Sequence, residues 1–253
     1  MANARGRHEV LRPVVLKKGV SHAGALSVVK TLLRHRLAVV GLSIIAGLVL
    51  LAVAAPLLAP YDPYEQDLYN VLKGPSGQHW LGTDNVGRDL LSHILYGARV
   101  SLLVGISATA ITCVVGVLVG LAAAYKGGAV DNVLMRVTDA FMAFPFLVLV
   151  LALAASLGPG IGNVIIALAA LGWTGFARIM RGQVLLVREL PYVEAARALG
   201  APARRIAFQH ILPNTLAPII VAFSITIGLF ILTESSAAFL GLGVQPPKAS
   251  WGR

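Results

Sequence analysis

Apolar residues in this chain are gathered into long uncharged runs separated by short polar stretches. Residues 37–58, 100–125, 140–177 and 211–233 contain no Asp, Glu, Lys or Arg, giving runs of 22, 26, 38 and 23 residues. A helix needs about 20 apolar residues to cross a hydrocarbon layer about 30 Å thick, so each run can span a bilayer. The third run is too long for one span and is interrupted by Ser156-Leu157-Gly158-Pro159-Gly160-Ile161-Gly162. Gly and Pro together mark a turn, so this run predicts two spans joined by a tight hairpin. Five spans are expected, near 37–58, 100–124, 137–156, 163–180 and 215–239. A transmembrane barrel would instead alternate apolar and polar residues over segments of about 10, unlike these continuous runs.

Composition strengthens this pattern. Hydrophobic residues are 57% of the 253 and charged residues 13%, with a mean hydropathy of +0.79. Soluble domains carry about twice that charged fraction, so a soluble enzyme is excluded. The basic residues fix an orientation. Residues 1–36 form a basic arm with eight Lys and Arg, and the connection between the fourth and fifth spans adds Arg178, Arg181, Arg188, Arg197, Arg204 and Arg205. Taking alternate connections together, one side holds 16 basic residues and the other 5. The positive-inside rule places the richer side, with the amino terminus and the loop 181–212, in the cytoplasm. The net charge of +10 follows from this asymmetry and from contact with anionic lipid, and requires no nucleic-acid partner. Ala52-Val53-Ala54 resembles a signal cleavage site, but a 36-residue basic arm and a 22-residue apolar run are too long for a signal peptide. The single cysteine, Cys113, lies within a span and indicates neither a disulfide nor a redox site.

The loop 181–212 carries the most information. Pro191 suits a first helical position, Glu194 the electropositive first turn, and Gly200 the left-handed position that ends a helix. Pro202 starts a second short helix, which Pro213 ends or kinks before the fifth span. The first helix presents Ala195, Ala196 and Ala198 with Arg197 protruding, a surface able to lie close in a groove of another protein. On these residues alone an ordinary interfacial connector is an equal reading. A DNA-reading helix-turn-helix fits poorly, because the segment is tethered between two spans.

Glu194-Ala195-Ala196, Gly200 and Leu212-Pro213 have the spacing of the EAA loop, and this resembles the permease subunits of binding-protein-dependent ABC importers. The dipeptide/oligopeptide/nickel branch is similar at Leu81-Gly82-Thr83-Asp84-Asn85-Val86-Gly87-Arg88-Asp89, Tyr96-Gly97-Ala98-Arg99, Asp131-Asn132, His210-Ile211-Leu212-Pro213-Asn214 and Phe239-Leu240-Gly241-Leu242-Gly243. The resemblance implies an all-α membrane protein, a polytopic helical bundle of the type I ABC importer permease kind spanning residues 37–253. Five spans are visible; a sixth is expected from the family, past Trp251-Gly252, but is absent from this sequence. It implies partners: a second homologous permease, one or two cytoplasmic ATPase subunits, an extracytoplasmic binding protein, and membrane lipid. It also implies that Glu194, Ala195, Ala196, Arg197, Gly200, Leu212 and Pro213 form the loop that docks in the ATPase. The chain lacks G-x-x-x-x-G-K-[ST], so no catalytic residue is assigned, and ATP and Mg belong to the partner subunits. Short peptides are the expected cargo, with nickel, haem or another small solute as the alternative.

Other polar residues have local readings. Thr83 or Asp84 is expected to cap the helix leading into the second span, since the acidic spacing of a calcium loop is missing. Arg136 and Asp139, three apart, predict a local ion pair. Glu234 interrupts an uncharged stretch about 25 Å along its helix, near the outer edge of the core, where a carboxylate can snorkel. It is a candidate for the pathway or for a subunit interface. Gln245-Pro246-Pro247 and Trp251 are expected in an extracytoplasmic loop, with Trp251 at the membrane interface. No His/Cys cluster indicates a metal path through the spans. A secondary transporter would show intramembrane ion ligands, of which Glu234 alone is available, and a sensor would carry a signalling domain.

Overall fold

The computed structural model describes residues 36–252. The basic arm expected at 1–36 lies outside the described residues except for Arg36. The chain divides into two units, Met1–Gly47 and Leu48–Arg253, and helix α1 (Arg36–Leu58) crosses that division. All later elements belong to the second unit. They are α2 (Leu90–Lys126), α3 (Gly128–Met142), α4 (Phe146–Leu157), α5 (Ile161–Val187), α6 (Pro191–Ala198) and α7 (Leu212–Phe239). Among the described residues four helices are long and apolar enough to cross a membrane, α7 counted with its lead-in from Ala203, and α3 with α4 makes a fifth span if the bent pair counts as one.

Two of the expected spans change shape. α2 begins ten residues before the predicted start at 100 and runs for 37 residues, or about 55 Å. Its first turns project outward, where Ser92 and His93 are buried and the Tyr61 N–H donates to Ser92 Oγ at 3.2 Å. The span expected at 137–156 is two helices bent by 85°. Pro145 causes the break, because it has no N–H to donate and disfavours helical backbone at Phe144. α3 is amphipathic and carries Asp131, Arg136 and Asp139, whereas α4 is uncharged and apolar except for Ser156.

Helix α2 is the axis of the bundle, packing against α5 and α7. Its buried face is built from small residues at three- and four-residue intervals, including Gly97, Ser101, Gly105, Ala108, Thr112, Gly116 and Gly120. Within a bilayer no hydrophobic force pulls helices together, so close van der Waals contact along small faces must do it. Gly120 illustrates the closeness: a Cβ added there would lie 2.3 Å from the Ala177 carbonyl oxygen. One buried cluster joins Val104, Ala108, Val150, Leu168 and Phe230. A second joins Leu121, Met180 and Val184 to Val193, Ile206 and Ile211, beside the connection between α5 and α7.

Candidate functional site

The α5–α7 connection is rigidly seated. At the end of α5 the Arg188 guanidinium donates to the Ala124 carbonyl at 2.9 Å, tying the ends of α5 and α2 together. Leu190 is the N-cap of α6, with Pro191 in its first turn and Glu194 where the helix end is positive. Val193 is fully buried among Val187, Ile206 and Ile211, and the Tyr192 hydroxyl donates to the His210 carbonyl at 3.3 Å. The other face of α6 is open: Glu194, Ala195 and Arg197 are exposed and Ala196 is half-buried. Partial burial raises the Tyr192 phenol above its usual range.

Gly200 ends this helix with φ +77°, in the left-handed region. Ala201 N–H donates to Ala196 O at 3.1 Å and Gly200 N–H to Arg197 O at 3.0 Å, the bond pair of a Schellman motif. Leu199, just before the turn, is 88% exposed. The sequence analysis gave it no role; an apolar residue beside a helix-ending glycine was the available signal.

A second helix starts after Pro202 as expected, but Pro213 does not end it. One turn at Ala203–Arg205 passes into a π-helical turn, Ile206–Ile211, which continues into α7. Pro213 accounts for the widened turn: it lacks an N–H, and its ring displaces the carbonyl four residues earlier. Leu212 is half-buried against the cluster that holds Val193, and Pro213 is exposed.

The loop between α1 and α2 also corrects the sequence reading. The N-cap of α2 is Asp89, not Thr83 or Asp84: its carboxylate accepts from Ser92 N–H and Oγ, both at 2.8 Å, and contacts His79 Nδ1 at 3.0 Å. Thr83 is buried, donates to the Asn70 carbonyl and accepts from Lys73 N–H. Asp84 accepts from the N–H groups of Val86 and Arg88 and pairs with the Arg88 guanidinium at 2.7 Å. Burial alone would raise the Asp84 carboxyl, but these bonds outweigh it and hold it below the usual carboxylate range. At Asp89 burial is likewise outweighed, by Ser92 and His79. Thr83 and Asp84 therefore close turns of the loop, and Asp89 alone caps the helix.

The predicted Arg136–Asp139 pair is replaced by contacts between helices. Asp139 binds Arg178 at 2.6 Å, and Asp131 binds Arg181 through both carboxylate oxygens at 2.6 Å. These fasten α3 to the C-terminal half of α5.

Glu234 does not snorkel. It is 0% exposed, between α2 and α7, with Ser101 Oγ donating to one carboxyl oxygen at 3.4 Å. Its other oxygen and the neighbouring Ser250 hydroxyl make no hydrogen bond of ordinary geometry. Trp251 folds over this point: its N–H donates to Ser101 Oγ at 3.2 Å and its indole to the Ile94 carbonyl at 3.1 Å. Counting residues along a helix gives depth but not the face, and Glu234 shares its face with buried Thr233, Ala237 and Ala238. Glu234→Gln, which keeps an acceptor for Ser101, should retain the parent's melting temperature and transport. Glu234→Ala should lower stability by about 1–3 kcal/mol by stranding buried hydroxyls. Thermal melting of the purified protein checks both, and a melting loss in the Gln variant equal to that in Ala would show that the charge itself is needed.

Comparison with known proteins places this geometry. The family described as "Binding-protein-dependent transport system inner membrane component" matches residues 116–253, and the "N-terminal TM domain of oligopeptide transport permease C" matches residues 27–75. The dipeptide transport system permease protein DppC of Bacillus subtilis is 43% identical over 223 residues, 88% of this chain and 70% of the relative. The oligopeptide transport system permease protein OppC of the same organism is 41% identical over 218 residues, 86% of this chain and 72% of the relative. The glutathione transport system permease protein GsiD of Pectobacterium atrosepticum is 42% identical over 221 residues, 87% of this chain and 73% of the relative. The chain thus belongs to the binding-protein-dependent transport system inner membrane components, as a multi-pass permease subunit of the cytoplasmic membrane in the dipeptide/oligopeptide branch.

Proposed function

We propose that this chain pairs with a second homologous permease to form the path of an ATP-driven importer of short peptides. The observation that carries the reading is α6: a short helix held from behind by Val193, open in front along Glu194, Ala195, Ala196 and Arg197, and stopped at Gly200. That face is the docking element for a cytoplasmic ATPase subunit, of which the assembly holds one or two. Leu212 and Pro213 fix the return of the chain into α7. ATP and Mg act in the ATPase subunits, and an extracytoplasmic binding protein delivers the cargo. The amino terminus and α6 face the cytoplasm, and the outer loop at Asp84 faces the other side, consistent with the 16-to-5 basic split. Nucleotide biases one end of the permease pair and the loaded binding protein the other, shifting the balance between inward- and outward-open states. Peptides are favoured over nickel or haem because relatives of this chain are named as dipeptide, oligopeptide and glutathione permeases.

The test is uptake by the full transporter in vesicles, with binding protein outside and ATP inside. Labelled di- and tripeptides should accumulate only when both are present. Impermeant thiol reagent should reach Asp84→Cys from the binding-protein side and Arg197→Cys from the ATP side. Accumulation without ATP, or labelling from the opposite sides, would overturn the assignment.

A further inference from the structure

The break between α3 and α4 opens a cavity of about 410 Å³ against α5 and α7. Its wall is aromatic, with Phe141, Phe144 and Phe146 from the break, Phe176 from α5, and Phe230 and Leu229 from α7. Phe146 and Phe230 stack with ring centroids 5.9 Å apart and planes 9° from parallel, giving the cavity a firm back. The volume lies in the range of small-ligand pockets.

Its depth restricts what can face it. α4 has 12 residues, so the break lies at most about 18 Å from the outer hairpin, inside a hydrocarbon layer about 30 Å thick. The first N–H groups of α4 have no intrahelical partner, and its N-cap Pro145 supplies no side-chain bond. Residues 143–145 are nonetheless exposed on the surface of this chain, and Phe144 is 60% exposed. Orphan backbone groups at this depth are tolerated against protein or a water-filled cavity, not against lipid tails. The face therefore looks into the assembly.

Its chemistry selects the guest. No charged residue lines the cavity. Both hydroxyls that reach it serve their own helices, Thr174 donating to Leu171 O and Thr226 to Ala222 O. A charged peptide terminus would lose its water there without compensation. An apolar side chain would lose only its hydration shell, which is favourable. We propose that this cavity is a side-chain subsite of the translocation path, taking the apolar or aromatic side chain of a peptide whose charged ends stay in water. The inference rests on the peptide reading above.

The experiment compares uptake of Ala-Ala-Ala and Ala-Phe-Ala by the full transporter in vesicles, using one binding protein throughout. Two variants at exposed positions change the cavity: Leu229→Trp fills it and Phe144→Ala strips its rim. Each should lower Ala-Phe-Ala uptake about tenfold relative to Ala-Ala-Ala, the scale of discrimination in an apolar pocket. Equal losses for both peptides, or none for either, would remove the subsite while leaving the peptide reading intact. Failure of the variant to co-purify with the second permease would show that the partner fills the cavity, which also overturns the proposal. So would a loss that tracks the acyl-chain length of the vesicle lipid and is the same for both peptides. A parent transporter that imports neither peptide would instead remove the peptide reading.

Discussion

Gly120→Leu should abolish accumulation of a folded permease, and Gly120→Ala should already lower its melting temperature. A Cβ at this position would lie 2.3 Å from the Ala177 carbonyl oxygen, 2.8 Å from Met180 Cβ and 3.0 Å from Arg181 N. Two of those three atoms are backbone, so no rotamer change relieves the clash, and α2 must move away from α5. Overpacking a core costs about 1–3 kcal/mol when side chains can yield. Here the larger branched residue should exceed that range, because the close crossing of two backbones is itself the interaction that joins the helices. Gly182→Ala is the control. It adds the same methyl on α5, where nothing lies within 4 Å, and should leave the melting temperature unchanged or slightly raised. Yield and melting in detergent read all three variants. Parental values for Gly120→Leu would mean that α2 and α5 do not cross here.

The spans were legible because uncharged runs of 20 or more residues have few other uses, and the Gly158-Pro159-Gly160 turn divides the longest of them. The break at Pro145 was hidden by the same feature. Inside residues 140–177 every position is uncharged, so periodicity and charge say nothing, and a single proline is tolerated in many membrane helices. The charged residues of α3 were visible, but their partners were not. Asp139 finds Arg178 and Asp131 finds Arg181, 39 and 50 residues away, whereas a sequence rule sees only neighbours three or four apart. The cap of α2 was misplaced by a few residues for a related reason. Thr83, Asp84 and Asp89 all have capping side chains, and only Asp89 stands directly before the helix, where its carboxylate accepts from Ser92 N–H. The small residues along the buried face of α2 drew no reading from the sequence, and that face explains why Glu234 is enclosed. The α6 segment was the most legible of all, because Pro191, Glu194 and Gly200 act through local backbone geometry.

Gly200→Val should leave insertion and pairing with the second permease intact while uncoupling the ATPase. The position has φ +77°, which valine resists, and forcing an L side chain into that region costs about 1–2 kcal/mol. Space is not the issue, since nothing lies within 4 Å of a Cβ built there. The strain is relieved most cheaply by giving up the two bonds that end α6, Ala201 N–H to Ala196 O and Gly200 N–H to Arg197 O. Val193 remains buried and holds the start of the helix, so the disturbance stays at Arg197–Leu199, on the exposed face. Co-purification of the ATPase, or ATP hydrolysis stimulated by loaded binding protein, should fall at least about tenfold if the docking energy lost is about 1.4 kcal/mol. Gly200→Asn separates backbone geometry from simple substitution, because asparagine tolerates the left-handed region and should keep most of the coupling. Arg197→Ala should have the milder effect of an exposed charge, at most about 1 kcal/mol. Pull-down with the tagged permease pair, followed by ATP turnover in lipid, ranks the three. A Gly200→Val transporter that retains its ATPase and hydrolyses like the parent would show that α6 is not the coupling element, whatever its exposure.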